Sequence, residues 1–261
     1  MKKATSSILT IVLTFGLFFV SPEKTYAAAP TDYVSCWDLD ETSGTRVDAN
    51  TTNSNDLTDT NTVLSSTTAK AGNSADFESA NSEYLTITDA NQVGLDIATT
   101  QSWSFWVRLE SDTDPVVVDK TAAGSMSYWL QLRVATDAFR FTNSAEIAID
   151  NATTIDPLIW YHFVVTYNAG TVEVFKDGTS VGTGSNGTSL TNSTAPFTIG
   201  RVNKYAGNYV DGLVDIVEIY NRVLTGAEIT SLYNSGSGVA CTGRSAGGGG
   251  STEYTITSIF Q

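Results

Sequence analysis

Asp215 and Glu218, three residues apart in the run Leu213 to Tyr220 (LVDIVEIY), are the pair whose types and spacing could do chemistry. Placed on either side of a glycosidic bond, two carboxyl groups divide the work of nucleophile and general acid, and a retaining mechanism needs them about 5–5.5 Å apart. In a regular strand, residues two apart share a face. Asp215 then aligns with Leu213, Val217 and Ile219, and Glu218 with Val214, Ile216 and Tyr220. The alternation predicts that the acids point to opposite sides unless a bulge intervenes, and it speaks against hydrolysis. The single histidine, His162 in WYHFVV, reads as a buried residue with a hydrogen-bond partner, and no Gly-x-Ser-x-Gly nucleophile motif occurs.

A carboxylate in an apolar row is costly to bury unless it is hydrogen-bonded, paired or bound to metal, so Asp215 needs a partner. Calcium takes six to eight oxygen ligands. The segment Asp48 to Asp56 (DANTTNSND) offers Asp48, Asn50, Asn53, Asn55 and Asp56. If the first and last strands adjoin, these residues and Asp215 or Asp211 form a structural calcium site; the same segment can instead be a turn bonded to its own backbone.

Sugar recognition asks for flat aromatic faces beside planar polar groups. Over Tyr128 to Val134, Trp129, Gln131 and Arg133 alternate with Tyr128, Leu130, Leu132 and Val134, which marks the first set as solvent-facing. Trp106 and Arg108, and Arg201, Asn203, Tyr205 and Tyr209 in the penultimate loop, are further candidates. Trp37, Trp103, Trp160, Phe105 and Phe163 are assigned to the core.

The elements that must position these groups are strands. Runs rich in Val, Ile, Thr, Phe, Tyr and Trp, broken by Asn, Asp, Gly and Ser clusters, predict an antiparallel all-β protein. The strands expected are 34–39, 84–87, 102–109, 116–119, 128–134, 138–142, 160–167, 171–176, 197–199 and 212–220. Lys176-Asp-Gly-Thr179 is a tight hairpin turn, since Asp-Gly readily supplies the positive torsions it demands. Thr225-Gly-Ala-Glu228 is a capping box with Leu224 and Ile229 as its apolar staple, which predicts one short helix extending through Leu232 and Tyr233. Residues 28–243 form the globular domain, 244–251 a Gly-rich linker, and 252–261 a β-prone tail able to add to an open sheet edge of its own or another molecule.

Residues 1–27 have the charged, apolar and small-residue segments of a secretory signal peptide. The apolar run of 13 residues from Ile8 to Val20 is short of the roughly 20 needed to span a bilayer, and no second such run follows. Removal of the leader leaves 11 Lys and Arg against 27 Asp and Glu, a formal charge of −16 compared with −14 for the whole chain. A field of that sign repels phosphate backbones and attracts cations, so nucleic acid is not an expected partner and calcium is one. Cys36 and Cys241, the two cysteines, are expected to form one disulfide in an exported protein, which requires the first and last strands to be neighbours. The sequons at Asn50, Asn151, Asn186 and Asn192 matter only in a glycosylating host.

Several segments together resemble the laminin G-like family of the concanavalin A-like lectin/glucanase fold. CWDLDETSG with Asp48 and the Asn-rich loop is similar to its opening strand, ADFESANSEYLTI to its Phe-rich hairpin, and QSWSFWVRL to its Trp-Val strand. WYHFVVTYNAGTVEVFKDG, TIGR and GLVDIVEIYNRVLTGAEITSLY follow in the family's order, so the resemblance spans about residues 33–234. It implies an antiparallel two-sheet jelly-roll sandwich with neighbouring first and last strands, in modules that are mostly non-catalytic and often associated with sugars, adhesion or calcium. The run Asp215 to Glu218 is also similar to the Glu-x-Asp-x-x-Glu run of secreted glucanases, with Leu213 where the first Glu would stand. These observations predict a secreted or cell-surface, non-catalytic module that binds carbohydrate or a cell-surface ligand. A structural or adhesive subunit assembling through its C-terminal strand, and a glycan-cleaving enzyme, are the alternatives.

Overall fold

The computed structural model describes residues 28–244 apart from positions 147, 186, 188, 189 and 243. The leader, most of the linker, the tail and the sequon at position 186 lie outside the described residues. Fifteen strands run in the order β1 Ser35–Trp37, β2 Thr58–Thr60, β3 Leu64–Ser66, β4 Ser74–Phe77, β5 Tyr84–Ile87, β6 Thr100–Leu109, β7 Val116–Ala122, β8 Ser125–Arg133, β9 Ala138–Asn143, β10 Ala148–Ala152, β11 Tyr161–Asn168, β12 Thr171–Lys176, β13 Thr179–Ser185, β14 Phe197–Ile199 and β15 Gly212–Tyr220. One α-helix, α1 Gly226–Tyr233, follows.

The strands pair antiparallel in two sheets. The first has the order β13-β12-β11-β6-β15-β4-β3, with β1 also on β15; the second has the order β10-β9-β8-β7-β14-β5-β2. This is the expected jelly-roll sandwich, with the first and last strands side by side: Cys36 is opposite Glu218. The Cys36–Cys241 disulfide closes there, with a Cα separation of 5.9 Å.

Alternation along the strands fills the space between the sheets. Trp103, Phe105 and Val107 of β6, Phe163 and Val165 of β11, and Val214, Val217 and Ile219 of β15 meet Leu130, Leu132, Phe139, Phe141, Phe197 and Ile199 from the second sheet. Trp37 stacks on Phe197 with centroids 5.3 Å apart. The turn after β12 has positive φ at both Asp177 and Gly178, as the Asp-Gly pair requires. Thr225 and Glu228 form the capping box, and Ile229 and Leu232 bury against Val164, Tyr220 and Leu224.

Five short strands go beyond the expected set: β2, β3, β4, β10 and β13. Four of them are polar and partly exposed edge or near-edge segments, such as Thr179–Ser185 with its two glycines, and carry little apolar periodicity to read. Among the described residues, no helix is long and apolar enough to cross a membrane.

Candidate functional site

The acid pair of β15 departs from the alternation. Asp215 is opposite Trp106 and Glu218 opposite Ser104, so two β15 residues, Ile216 and Val217, stand against the single Phe105. That is a bulge, and Ile216 takes φ 47°, a left-handed conformation that a β-branched residue adopts only under strain. Trp106 and Ser104 share a face of β6, so Asp215 and Glu218 share the outer face of the first sheet. The expectation that they point apart is thereby corrected.

The same face is roofed. Helix α1, the segment leading to Arg244 and the loop around Lys70 cover it, and both acids are buried, at 0% and 1% exposure. Asp215 Oδ2 accepts from the backbone N–H groups of Lys70 (2.6 Å) and Ala71 (3.2 Å). Glu218 accepts from the Tyr220 hydroxyl and the Arg244 guanidinium. The segment bearing Arg244 is tied down further at Asp38, which accepts from Cys241 N and Thr242 N.

Trp106, a candidate for sugar contact, is buried beneath this roof at 2% exposure, stacked on His162 (4.8 Å) and Tyr233 (5.7 Å) with Lys70 Nζ 4.4 Å from its ring. Trp160, expected in the core, is instead half-buried and packs against this outer cluster. Strand alternation tells inside from outside the sandwich; it does not tell whether the outside is covered. Arg108 donates to Glu110 and to the Leu158 carbonyl beside the same roof. His162 is buried and hydrogen-bonded to Ser104 at 3.0 Å, as expected.

Burial acts on three of these groups in opposite directions. It pushes the carboxyl of Asp215 up to about 7, against two backbone hydrogen bonds, and that of Asp119 up to about 7 in the second sheet. It pushes His162 down to about 3, with Arg244 and Lys70 adding to the effect. Each carboxyl has a folded-state pKa above its unfolded value near 4, so its stability contribution is fully present below about pH 4 and is lost as pH rises through 7. His162 has a depressed pKa; its contribution is present above about pH 6.5 and lost as pH falls toward 3. Asp215→Asn removes one of these two carboxyls. Its stability relative to wild type should therefore rise from pH 4 to pH 8 by on the order of 3 kcal/mol, measured by denaturant titration across that range. A difference that is flat with pH refutes the assignment.

The Asn-rich loop is bonded to itself and to β1. Asp48 accepts from Cys36 N, Asn50 N and Asn55 N, while Asp56 accepts from Asp48 N. The amides of Asn50 and Asn53 donate to the Val34 carbonyl, and Asn55 bridges Ser35 Oγ and the backbone of Val93. Asp215 takes its hydrogen bonds from elsewhere, so the loop and Asp215 share no partner. A separate carboxylate cluster, Asp76, Glu78 and Glu110, brings one oxygen from each within 4.8 Å at the end of β4 and β6. Burial and then the neighbouring acids hold Asp76 and Glu78 above the usual carboxylate range.

The outer face of the second sheet carries the remaining candidates. A row set by strand register crosses it: Thr142, Trp129, Asp119, Thr198, Thr86 and Thr58, from β9 through β8, β7, β14 and β5 to β2. Trp129 is half-buried, and Tyr205, half-exposed, meets it edge-on with centroids 6.3 Å apart. Gln131 donates to the Asp114 carbonyl, and Arg133 lies 3.5 Å from Asp150, which also takes two hydrogen bonds from Arg140. Arg201 lies over the Tyr84 ring at 4.1 Å and donates to Asn203 Oδ1 and Tyr209 Oη. The structure thus brings Trp129, Tyr205, Gln131, Arg133 and Arg201 to one sheet face and leaves Trp106 and Arg108 on the other.

Sequence reasoning missed Tyr84, Asp119 and Arg140. Asp119 lies in the apolar-flanked run Val116 to Ala122, where two bulges break the register that would have shown which way it points.

A two-sheet antiparallel sandwich with one roofed face and one face lined by aromatic, amide and guanidinium groups has the lectin/glucanase-like fold. The chain belongs to the laminin G-like family of the concanavalin A-like lectin/glucanases superfamily, whose pattern matches residues 79–230, more than half of it. No curated relative matches it in sequence. Among solved structures it is similar to domain 4 of AbnA, an extracellular arabinanase from Geobacillus stearothermophilus, solved with arabinotriose: TM-score 0.60, 20% identity, 76% of this chain and 97% of that one. It is also similar to the binding domain of Paraclostridial Mosquitocidal Protein 1 (TM-score 0.61, 16% identity, 78% and 52%) and to a structure of botulinum neurotoxin type C (0.58, 17%, 78% and 51%). The chain thus spans about half the length of those two toxin chains. At these identities the likeness shows the fold.

Proposed function

We propose that this chain is an exported, non-catalytic carbohydrate-binding module whose ligand lies across Trp129 on the outer face of the second sheet. The observation that carries the reading is the contrast between the two outer faces. One is roofed by α1 and the disulfide-tethered segment; the other presents Trp129 and Tyr205 beside Gln131, Arg133 and Arg201. An apolar surface with a few convergent polar groups is what a small ligand needs.

Burial of Asp215 and Glu218, both committed to neighbouring donors, supports binding without hydrolysis. The disulfide supports an oxidising, extracellular setting. The similar arabinanase domain was solved with a trisaccharide, and the similar neurotoxin depends on ganglioside for cell entry; both support a sugar as the ligand class. Trp129→Ala is expected to weaken saccharide binding by about 2 kcal/mol, some 30-fold, with the melting temperature little changed. Glycan-array screening followed by calorimetry on wild type and variant measures this. Silence of the wild type across a broad array refutes the reading, as does release of reducing sugar that Glu218→Gln abolishes.

A further inference from the structure

In a chain of formal charge −14, carboxylates take up five of the seven arginines. Arg108 pairs with Glu110, Arg133 and Arg140 with Asp150, Arg222 with Asp32 and Glu228, and Arg244 with Glu218. Arg46 has no carboxylate partner but is wholly buried, donating to the Gly44 and Val63 carbonyls. Arg201 is different: it is partly exposed, and among the described residues every group holding it is neutral.

Its guanidinium is held firmly nonetheless. Nε and Nη2 both donate to Asn203 Oδ1, at 3.0 and 2.8 Å, and Nη1 donates to Tyr209 Oη at 3.3 Å. The plane lies over Tyr84, 4.1 Å from the ring centroid. Asn203 is fixed in turn, donating from its amide to Asp119 Oδ2 (2.6 Å) and Thr198 Oγ1 (2.7 Å) and from its backbone to Asp119 Oδ2 (3.0 Å). Asp119 is the register partner of Trp129, so this chain of contacts ends beside the proposed sugar platform. A guanidinium has five N–H donors. Among the described residues those three bonds leave one N–H without a partner on each terminal nitrogen of Arg201, and no carboxylate there neutralises its charge.

From this geometry we infer that Arg201 is a carboxylate receptor, and that the ligand of this face is an acidic saccharide of the uronate or sialate class. The inference rests on the sugar-binding reading above and narrows it. A planar fork matches a planar carboxylate through charge-assisted hydrogen bonds, which are about twice as strong as neutral ones. Asn203, Tyr209 and Tyr84 hold the side chain in place before the ligand arrives, so less rotamer entropy is lost on binding. The protein's overall negative charge opposes an anionic ligand only at long range. At physiological ionic strength that repulsion is screened beyond about 8 Å, whereas a contact at Arg201 is not.

The test uses the purified chain in calorimetry at physiological salt against oligogalacturonate, sialyllactose and the methyl ester of each. The wild type is expected to bind at least one free acid about tenfold or more tightly than its ester. Arg201→Gln should erase that preference by bringing the affinity for the free acid down to that for its ester, and Arg201→Lys should restore it only in part, because an ammonium cannot reproduce the fork. Equal affinity of the wild type for acid and ester, or a preference that survives Arg201→Gln, overturns the assignment of Arg201 and leaves a neutral-sugar reading of the Trp129 face standing. Binding of neither these probes nor any neutral glycan removes both. Oligogalacturonate and sialyllactose differ in which responds, and that difference identifies the acid.

Discussion

Replacing Cys36 and Cys241 together by serine is expected to lower the unfolding free energy by about 5 kcal/mol. The bond joins residues 205 apart in sequence, so in the chain-entropy account its loss restores to the unfolded chain the freedom of a very long loop. Native domains hold only about 5–15 kcal/mol in total, so the variant should sit near the edge of folding at 37 °C. Loop entropy is not the whole effect. The two sulfurs lie in a buried cluster with Trp106 and Ile216, and the bond pins the segment that carries Arg244 over Glu218. A guanidinium titration of the double variant, and of wild type with and without reductant, measures the loss; coincident midpoints would refute it.

Arg244→Ala should cost about 3–5 kcal/mol by itself, because it leaves Glu218 as a buried carboxylate without its cation. The pair is closed to water: the side chains of Arg244 and Glu218 are 4% and 1% exposed. The guanidinium also donates to the carbonyls of Ala240 and Pro30, so its removal uncaps backbone acceptors in two segments that are more than 200 residues apart. Changing both partners, Glu218→Gln with Arg244→Met, should recover much of the loss, since a neutral pair is spared the cost of a lone buried charge. The disulfide and the ion pair hold one segment, so their effects should couple, and Arg244→Ala should cost less in the cysteine-free protein. A double-mutant cycle by denaturant titration reads this directly, and strict additivity would show that the segment is held at two independent points.

These expectations concern the roof over the first sheet, which is where reading the sequence was least successful. Alternation along Leu213 to Tyr220 separates Asp215 from Glu218, and the bulge at Ile216 reunites them. Nothing local in Asp-Ile-Val-Glu announces a bulge, because Ile is among the residues least suited to φ 47° and is held there by the buried cluster around the disulfide. Trp106 is misplaced for a related reason. It does point away from the sandwich core, as its position in Ser102 to Leu109 indicates, but His162, Tyr233 and Lys70 then close over it. On the second sheet no such roof intervenes among the described residues at Trp129, Gln131 and Arg133, and alternation placed these three on the outer face.

What the sequence by itself determined is whatever depends on neighbours in the chain. The two-sheet class follows from strand periodicity, the Asp177-Gly178 hairpin from torsional preference, and the start of α1 from the Thr225–Glu228 box. The Cys36–Cys241 bond, although it joins residues 205 apart, was legible for a different reason: two cysteines allow a single intramolecular pairing. Only the tertiary structure decided that Asp215 and Glu218 share a covered face, that Asp119 lies beside Trp129, and that Arg201 alone among the partly exposed, described arginines meets neutral groups. Coverage and charge balance are set by segments 26 to 144 residues away in the chain, and local spacing carries no record of which distant group arrives.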